Sequence, residues 1–217
     1  MIFDKLRKEF RSNNLYDNLF LLIGVIVQII VFIGTNSTWL CFISGVSGIF
    51  SVVLCAQRKI SQFVFSFIQL FTYVAIVLQE KLYGEVIENI FYFITMILGI
   101  FVWVRGYNDK KDKIDVKSLT WVNNGLVIIL TIIGVWLFYI YLSSTDDTQP
   151  LLDSISTVPA FVAQILLMLR YKENWWYWLT IDIAAIFMWC NASNPIMVAQ
   201  YVFWTLNCVY GMIKWKN

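Results

Sequence analysis

Apolar runs of bilayer length follow one another along almost the whole chain, and this succession restricts it to one class of fold. A hydrocarbon core of about 30 Å is crossed by about 20 residues of helix. Inside it each backbone N–H and C=O must be satisfied within the protein, so runs of this length become helices. They cover about 17–34, 39–56, 62–79, 86–104, 120–142, 151–170, 175–192 and 196–213. Short polar connections at 35–38, 146–150 and 191–195 read as loops, and Pro150 and Pro195 sit where helices can start. With 59% hydrophobic and 14% charged residues, the expected class is an all-α membrane protein of eight transmembrane helices in one membrane domain.

The basic residues predict the orientation. Lys5, Arg7, Lys8 and Arg11 precede span 1, and Arg58 and Lys59 fall between spans 2 and 3. Arg105, Lys110, Lys111, Lys113 and Lys117 lie between spans 4 and 5; Arg170 and Lys172 lie between spans 6 and 7; Lys214 and Lys216 follow span 8. Every Lys and Arg except Lys81 is then on one face, which the positive-inside rule makes cytoplasmic. Both termini are expected there, in a multi-pass protein of the inner membrane. Residues 105–119 form the one long polar connection and read as a solvated linker between halves. Its charges nearly cancel, which argues against a nucleic-acid partner.

The chain has no histidine, which excludes histidine metal sites, haem ligation through histidine, and Ser-His or Cys-His catalysis. Cys41, Cys55, Cys190 and Cys208 lie in or beside apolar runs without a C-x-x-C pattern and are expected to be buried thiols. No metal, cofactor or catalytic group is expected.

The two halves resemble each other at an offset of 112 positions. Arg58 meets Arg170, Phe65 meets Tyr177, Tyr92 meets Trp204, and Ser44 meets Ser156. Gly99-x-x-x-Trp103 meets Gly211-x-x-x-Trp215. An offset that spans four helices restores orientation, so parallel repeats are expected, as in transporters whose site lies near the midplane. Ser44, Gly45, Gly48 and Ser51 are small enough for close helix approach, and Pro159 is expected to kink span 6.

One carboxylate breaks the apolar pattern. Asp182 lies within span 7, and Trp175 and Trp178 precede it at helical spacing, so all three can face one cavity. A charge at that depth costs about 2.5–3.5 kcal/mol and marks a candidate functional site. Two indoles beside a carboxylate suit a flat, cationic ligand. The repeat predicts an opposing wall: Gln69 in span 3, Asn89 in span 4, and Tyr201, Trp204 and Asn207 or Cys208 in span 8. Amides and phenols there can hydrogen-bond hydroxyls or a carboxamide. The plainer alternatives are helix-to-helix pairing for Asp182, an interfacial anchor for Trp175, packing for Trp178, and interhelical hydrogen bonding for Gln69, Asn89 and Asn207.

With these residues in place the chain is similar to the PnuC family of nicotinamide riboside transporters, from about Trp39 to Trp215. The most specific part is the stretch from Arg170 to Asn174 followed by Trp175-x-x-Trp178-x-x-x-Asp182. Leu82-Tyr-Gly84, Asn89 with Gly99-x-x-x-Trp103, and Gly211-x-x-x-Trp215 add to it. The resemblance implies a fold like that of SWEET sugar transporters, with two three-helix bundles (39–104 and 151–217) joined by a loop and linker helix (105–142). Residues 1–38 supply an added N-terminal segment and helix. It further implies a homotrimer, facilitated diffusion of a vitamin, and net uptake drawn by a cytoplasmic kinase that phosphorylates it. Trp175, Trp178 and Asp182 would line the substrate site, with Gln69 and Asn89 at positions where the family carries amides. Thiamine, riboflavin and deoxynucleosides are the alternative substrates; a membrane enzyme and a non-transporting receptor are the alternatives of other classes.

Overall fold

The computed structural model describes residue 9 and residues 15–35, 38–79, 83–145, 149–191 and 195–216. Lys5, Arg7, Lys8, Arg11, Lys81 and Leu82, with residues 146–148 and 192–194, lie outside them. Among the described residues the long elements are all helices. They are α1 (Leu15–Thr35), α2 (Trp39–Ala56), α3 (Gln62–Gln79), α4 (Tyr83–Arg105), α5 (Trp121–Ser143), α6 (Pro150–Met168), α7 (Asn174–Asn191) and α8 (Pro195–Lys214). Local chemistry sets several boundaries. The Thr38 hydroxyl caps α2 by accepting from Cys41 N at 3.3 Å, and Thr120 caps α5 by accepting from Asn123 N at 3.2 Å. Pro150 opens α6 and Pro195 opens α8, where the missing N–H costs nothing. Pro159 is buried within a continuous α6.

Five helices, α1, α2, α4, α5 and α6, are long and apolar enough by themselves to cross a membrane. α3 has a shorter apolar stretch, Gln62–Ile76. The chain is thus a multi-pass all-helical membrane protein. The more polar helices are those with Gln62, Ser66, Gln69 and Thr72, or with Asp182, Asn207 and Cys208.

The chain forms two compact units, Met1–Asp115 and Val116–Asn217, so α5 belongs to the second. In the first unit α2 packs on both α1 and α3, and α3 on α4. The small residues of α2 permit this. The Gln28 side chain of α1 occupies the place a Cβ on Gly45 would need. The Gln69 amide lies against Gly48, where a Cβ would come within 3.0 Å of Nε2. Ser51 and Ser66 hydroxyls pair at 2.6 Å across the α2–α3 contact. In the second unit α6 packs on α5 and α7, and α7 on α8. Of the described α5 residues only Thr131 is buried within that unit; Trp121, Leu130, Trp136 and Tyr141 are exposed, as suits hydrocarbon surroundings.

The connection at 105–119, expected as a solvated linker between halves, is solvated apart from Ile114 and contains the boundary between the two units, but it is also folded. Two short strands, β1 (Tyr107–Asn108) and β2 (Lys113–Ile114), pair antiparallel, and Asp112 at φ 50 turns the chain between them. Ile114 is buried and its N–H donates to Arg58 O at 3.1 Å. Lys117 bridges to Tyr171: Lys117 N donates to Arg170 O at 2.8 Å and Lys172 N donates to Lys117 O at 3.0 Å. One apolar residue, Ile114, gives a polar segment a reason to fold.

The turns α2–α3 and α6–α7 match bond for bond. Each helix ends in a Schellman motif with arginine, not glycine, in the left-handed position: Arg58 at φ 64 and Arg170 at φ 67. Arg58 N donates to Cys55 O and Lys59 N to Leu54 O; Arg170 N donates to Leu167 O and Tyr171 N to Leu166 O. Aromatic pairs follow the same offset. Phe63 meets Trp103 edge-on at 5.2 Å, and Trp175 meets Trp215 edge-on at 5.7 Å. The sequence did not foretell the first unit's clamp at residue 9. The Glu9 carboxylate accepts from Ile60 N at 2.7 Å and Ser61 N at 2.9 Å, and Lys59 Nζ donates to Glu9 O at 2.7 Å. Burial still holds the Glu9 carboxyl above the usual carboxylate range, against the pull of these hydrogen bonds.

Left-handed backbone costs a side-chain-bearing residue about 1–2 kcal/mol, and most for a β-branched one. Arg170→Val is therefore expected to unfold at a lower temperature than Arg170→Gly in detergent-solubilised protein, and equal midpoints would contradict the strained turn.

Candidate functional site

The residues singled out by the sequence fall mostly on α7 and α8, within the second unit. The start of α7 is fixed by polar contacts. Asn174 Nδ2 donates to Tyr171 O at 2.6 Å. The Glu173 carboxylate accepts from Ser118 Oγ at 2.8 Å and Leu119 N at 3.1 Å, tying the α6–α7 turn to the segment that enters α5. Helical spacing then sets the levels of the site. Asp182 is eight residues beyond Asn174, about 12 Å along the helix and near its middle.

Trp175 occupies the first level. It is 3% exposed and packs on Trp215 and on the backbone of Gly211, where an added Cβ would sit 2.5 Å from the indole ring. Asp182 occupies a level about 10 Å further along. It is 4% exposed, and Cys208 Sγ donates to its Oδ2 at 3.1 Å. No ammonium or guanidinium pairs with Asp182 among the described residues. In each described helix the Lys and Arg lie only in the last turn, as Arg105 and Lys214. Trp178 is half-buried beside Tyr177 on the Ala160, Ala163 and Ile181 cluster, one turn before Asp182. Asn207 is buried next to Cys208. Tyr201 and Trp204 form an edge-on pair at 4.9 Å on the preceding turns of α8.

The structure thus brings Asp182 to Cys208, and Tyr201 to Trp204, while Trp175 joins Gly211 and Trp215. The buried indole N–H groups of Trp175 and Trp204 have no hydrogen-bond partner among the described residues. A buried donor left this way costs about 1–3 kcal/mol, and a ligand oxygen can relieve it. Gln69 and Asn89 belong to the first unit, with Gln69 on Gly48 and Asn89 buried on α4. Of the four thiols, Cys55 and Cys208 are buried as expected, but Cys190 is exposed and Cys41 half-exposed, since their helix faces are not covered within the protein.

Positions 112 apart agree at the helix ends and differ at the level of Asp182. Positions 63 and 175, and 103 and 215, are aromatic in both units. At the level of Asp182 and Cys208 the first unit has Leu70 and Met96, both buried. A protein interior of this shape closes with apolar side chains at that level, so the helix packing itself does not call for the carboxylate and thiol. Cys208 and Gly211 are the residues whose part was underread. Their signal was in the sequence: Cys208 shares a helix face with Tyr201 and Trp204, and Gly211 precedes Trp215 by one turn.

Gly211→Leu is expected to force α7 and α8 apart. Overpacking of this kind costs about 1–3 kcal/mol, so the thermal midpoint should drop by several degrees, and a variant as stable as the parent would contradict the contact.

A profile of the nicotinamide mononucleotide transporter family matches residues 38–217. The nicotinamide riboside transporter PnuC of Haemophilus influenzae is 31% identical over 98% of this chain and 95% of its own length. That of Neisseria mucosa is 29% identical over 93% of this chain and 81% of its own length. A crystal structure of the vitamin B3 transporter PnuC superimposes with a TM-score of 0.80 at 27% identity, covering 97% of this chain and 94% of that one. The extended resemblance already drawn from Trp175, Trp178 and Asp182 and the match over most of the length agree: the chain belongs to the nicotinamide mononucleotide transporter family, which includes the PnuC proteins.

Proposed function

We propose that this protein carries nicotinamide riboside across the inner membrane by facilitated diffusion, with Asp182 answering the pyridinium charge. The single observation behind this is Asp182 itself: a carboxylate at mid-helix depth, 4% exposed, with a thiol as its hydrogen-bond partner and no cationic side chain on it among the described residues. A cationic substrate supplies the missing countercharge while bound. A desolvated pyridinium over an indole face gains about 2 kcal/mol or more, which fits Trp178 one turn away. The indole N–H groups of Trp175 and Trp204, with Tyr201 and Asn207, offer hydrogen bonds to ribose hydroxyls or the carboxamide.

The same charges favour the riboside over the mononucleotide. A phosphate needs Lys, Arg or a helix N-terminus, and the second unit has basic residues only at its edges: Lys117, Arg170, Lys172, Lys214 and Lys216. Beside Asp182 a phosphate would meet a like charge. Thiamine, also a flat cation, passes the same test as nicotinamide riboside; riboflavin, which is neutral, gains nothing from Asp182.

Around this site we propose eight membrane spans, α1 to α8, with both termini cytoplasmic. α2–α4 and α6–α8 are related three-helix repeats, α5 joins them, and α1 is an addition. The paired Schellman turns at Arg58 and Arg170 and the paired aromatic contacts support the repeat. The site opens to each side in turn, the substrate runs down its own gradient, and a cytoplasmic kinase traps it. Three copies assemble in the membrane. Apart from Asp182, the acidic residues of the helices, Asp17, Glu85, Glu88 and Asp153, lie in their first two turns, so no relay of intramembrane acids supports proton coupling.

Titration of purified protein, followed by tryptophan fluorescence, is expected to show binding of nicotinamide riboside that Asp182→Asn weakens about tenfold or more, or ~1.4 kcal/mol, with Trp178→Ala also weaker. Parental affinity in folded Asp182→Asn would contradict the site, and tighter binding of thiamine would reassign the substrate. In proteoliposomes, counterflow should persist when proton and sodium gradients are collapsed; its loss would contradict facilitated diffusion.

A further inference from the structure

Cys208 has no part in the reading so far beyond its hydrogen bond, yet it is the group that holds the only mid-helix carboxylate among the described helices. We propose that Cys208 is a positioning residue for transport: its thiol fixes the rotamer of Asp182 so that the carboxylate meets the cationic ring of the substrate. The proposal rests on the reading of Asp182 as the substrate's counter-charge.

Three observations carry it. The first is the contact, 3.1 Å from Cys208 Sγ to Asp182 Oδ2, between two side chains each less than 5% exposed. The second is the break in the repeat. The corresponding positions of the first unit are Leu70 and Met96, both buried, so similar helices pack without a polar pair at this level. The Asp and the Cys depart together from the apolar pattern, as partners in one task would. The third is the indole of Trp175, two turns earlier on α7 and 3% exposed, whose buried N–H meets no acceptor among the described residues. An oriented acid and an unused donor on the same helix face point to a ligand between these levels.

The chemistry favours a thiol for this work. S–H is a weak donor, so it biases the orientation of a carboxylate without cancelling its charge. A lysine at 208 would hold Asp182 in a permanent ion pair and leave nothing for a cation. An alanine would leave the carboxylate free to turn among its rotamers, and ordering it would then fall to the substrate. The close approach of α8 to α7, set one turn away by Gly211 against Trp175, brings a side chain as short as cysteine within reach.

The test compares two probes that share shape and differ in charge: nicotinamide riboside and its reduced dihydropyridine form, which is neutral. Cys208→Ala, Cys208→Ser and Asp182→Asn are titrated with both in purified, monodisperse protein. Cys208→Ala is expected to weaken the cationic form about five- to tenfold and the neutral form about twofold or less, and Cys208→Ser to restore the parental preference. Asp182→Asn should erase the preference for the cation. If Asp182→Asn erases it and Cys208→Ala leaves it at the parental value, the positioning role is overturned and the Asp182 site stands. If Asp182→Asn leaves it unchanged, the site reading itself fails. Equal loss of both probes in Cys208→Ala, unrescued by serine, would make Cys208 a packing residue and overturn the proposal.

Discussion

The contact between α7 and α8 depends on a missing side chain. The indole of Trp175 fills the space that any Cβ at 211 would need, and it rests edge-on against Trp215, which is fully buried. That close approach sets the distance between the two helices. Because they run antiparallel as consecutive helices, the level of Trp175 and Gly211 fixes the next one, where Asp182 meets Cys208. Tight packing near the helix start thus determines whether a carboxylate deeper in the unit finds its thiol. In hydrocarbon there is no hydrophobic drive for helices to associate, so such small-residue contacts and buried hydrogen bonds carry much of the specificity.

The two units agree at their turns and differ midway along their helices. The turn at Arg58 and the turn at Arg170 share the same left-handed residue and the same hydrogen bonds, and each is followed by an aromatic pair. Both turns accept a strand-like segment on the arginine carbonyl, from Ile114 in the first unit and Lys117 in the second. Midway along the helices the units part. Leu70 and Met96 stand where Asp182 and Cys208 stand, and Asn89 and Tyr92 where Tyr201 and Trp204 stand. The buried carboxylate and its thiol partner belong to the second unit; the matching positions of the first are apolar.

Much of the fold was legible because the bilayer imposes so few solutions. Eight apolar runs became eight helices, and two of them open at Pro150 and Pro195 as read; the Thr38 and Thr120 caps emerge only from the structure. The folding of the segment at 105–119 was not legible because its density of charge hides Ile114, a single buried anchor around which two short strands form. The clamp of Glu9 on Ile60 and Ser61 was invisible for a related reason: a polar N-terminal residue caps a helix distant in sequence, and no local pattern announces that. At the site, Asp182 stood out because a carboxylate in an apolar run is expensive. Cys208 was named only as an alternative to Asn207 on its helix face, because a cysteine in an apolar run is ordinary; its partner gives it meaning. Trp175 looked like a ligand platform from its spacing, and its packing on Gly211 adds a structural duty that spacing cannot reveal.

The central claim, that Asp182 faces the positive ring of the substrate, is tested most directly by a structure of this protein with nicotinamide riboside bound. The expected result has the pyridinium ring within about 6 Å of the centre of the Trp178 indole, with its charge turned toward the Asp182 carboxylate. Density that puts the ribose on Asp182 and the ring elsewhere, or that leaves Asp182 and Cys208 away from the substrate altogether, would contradict it.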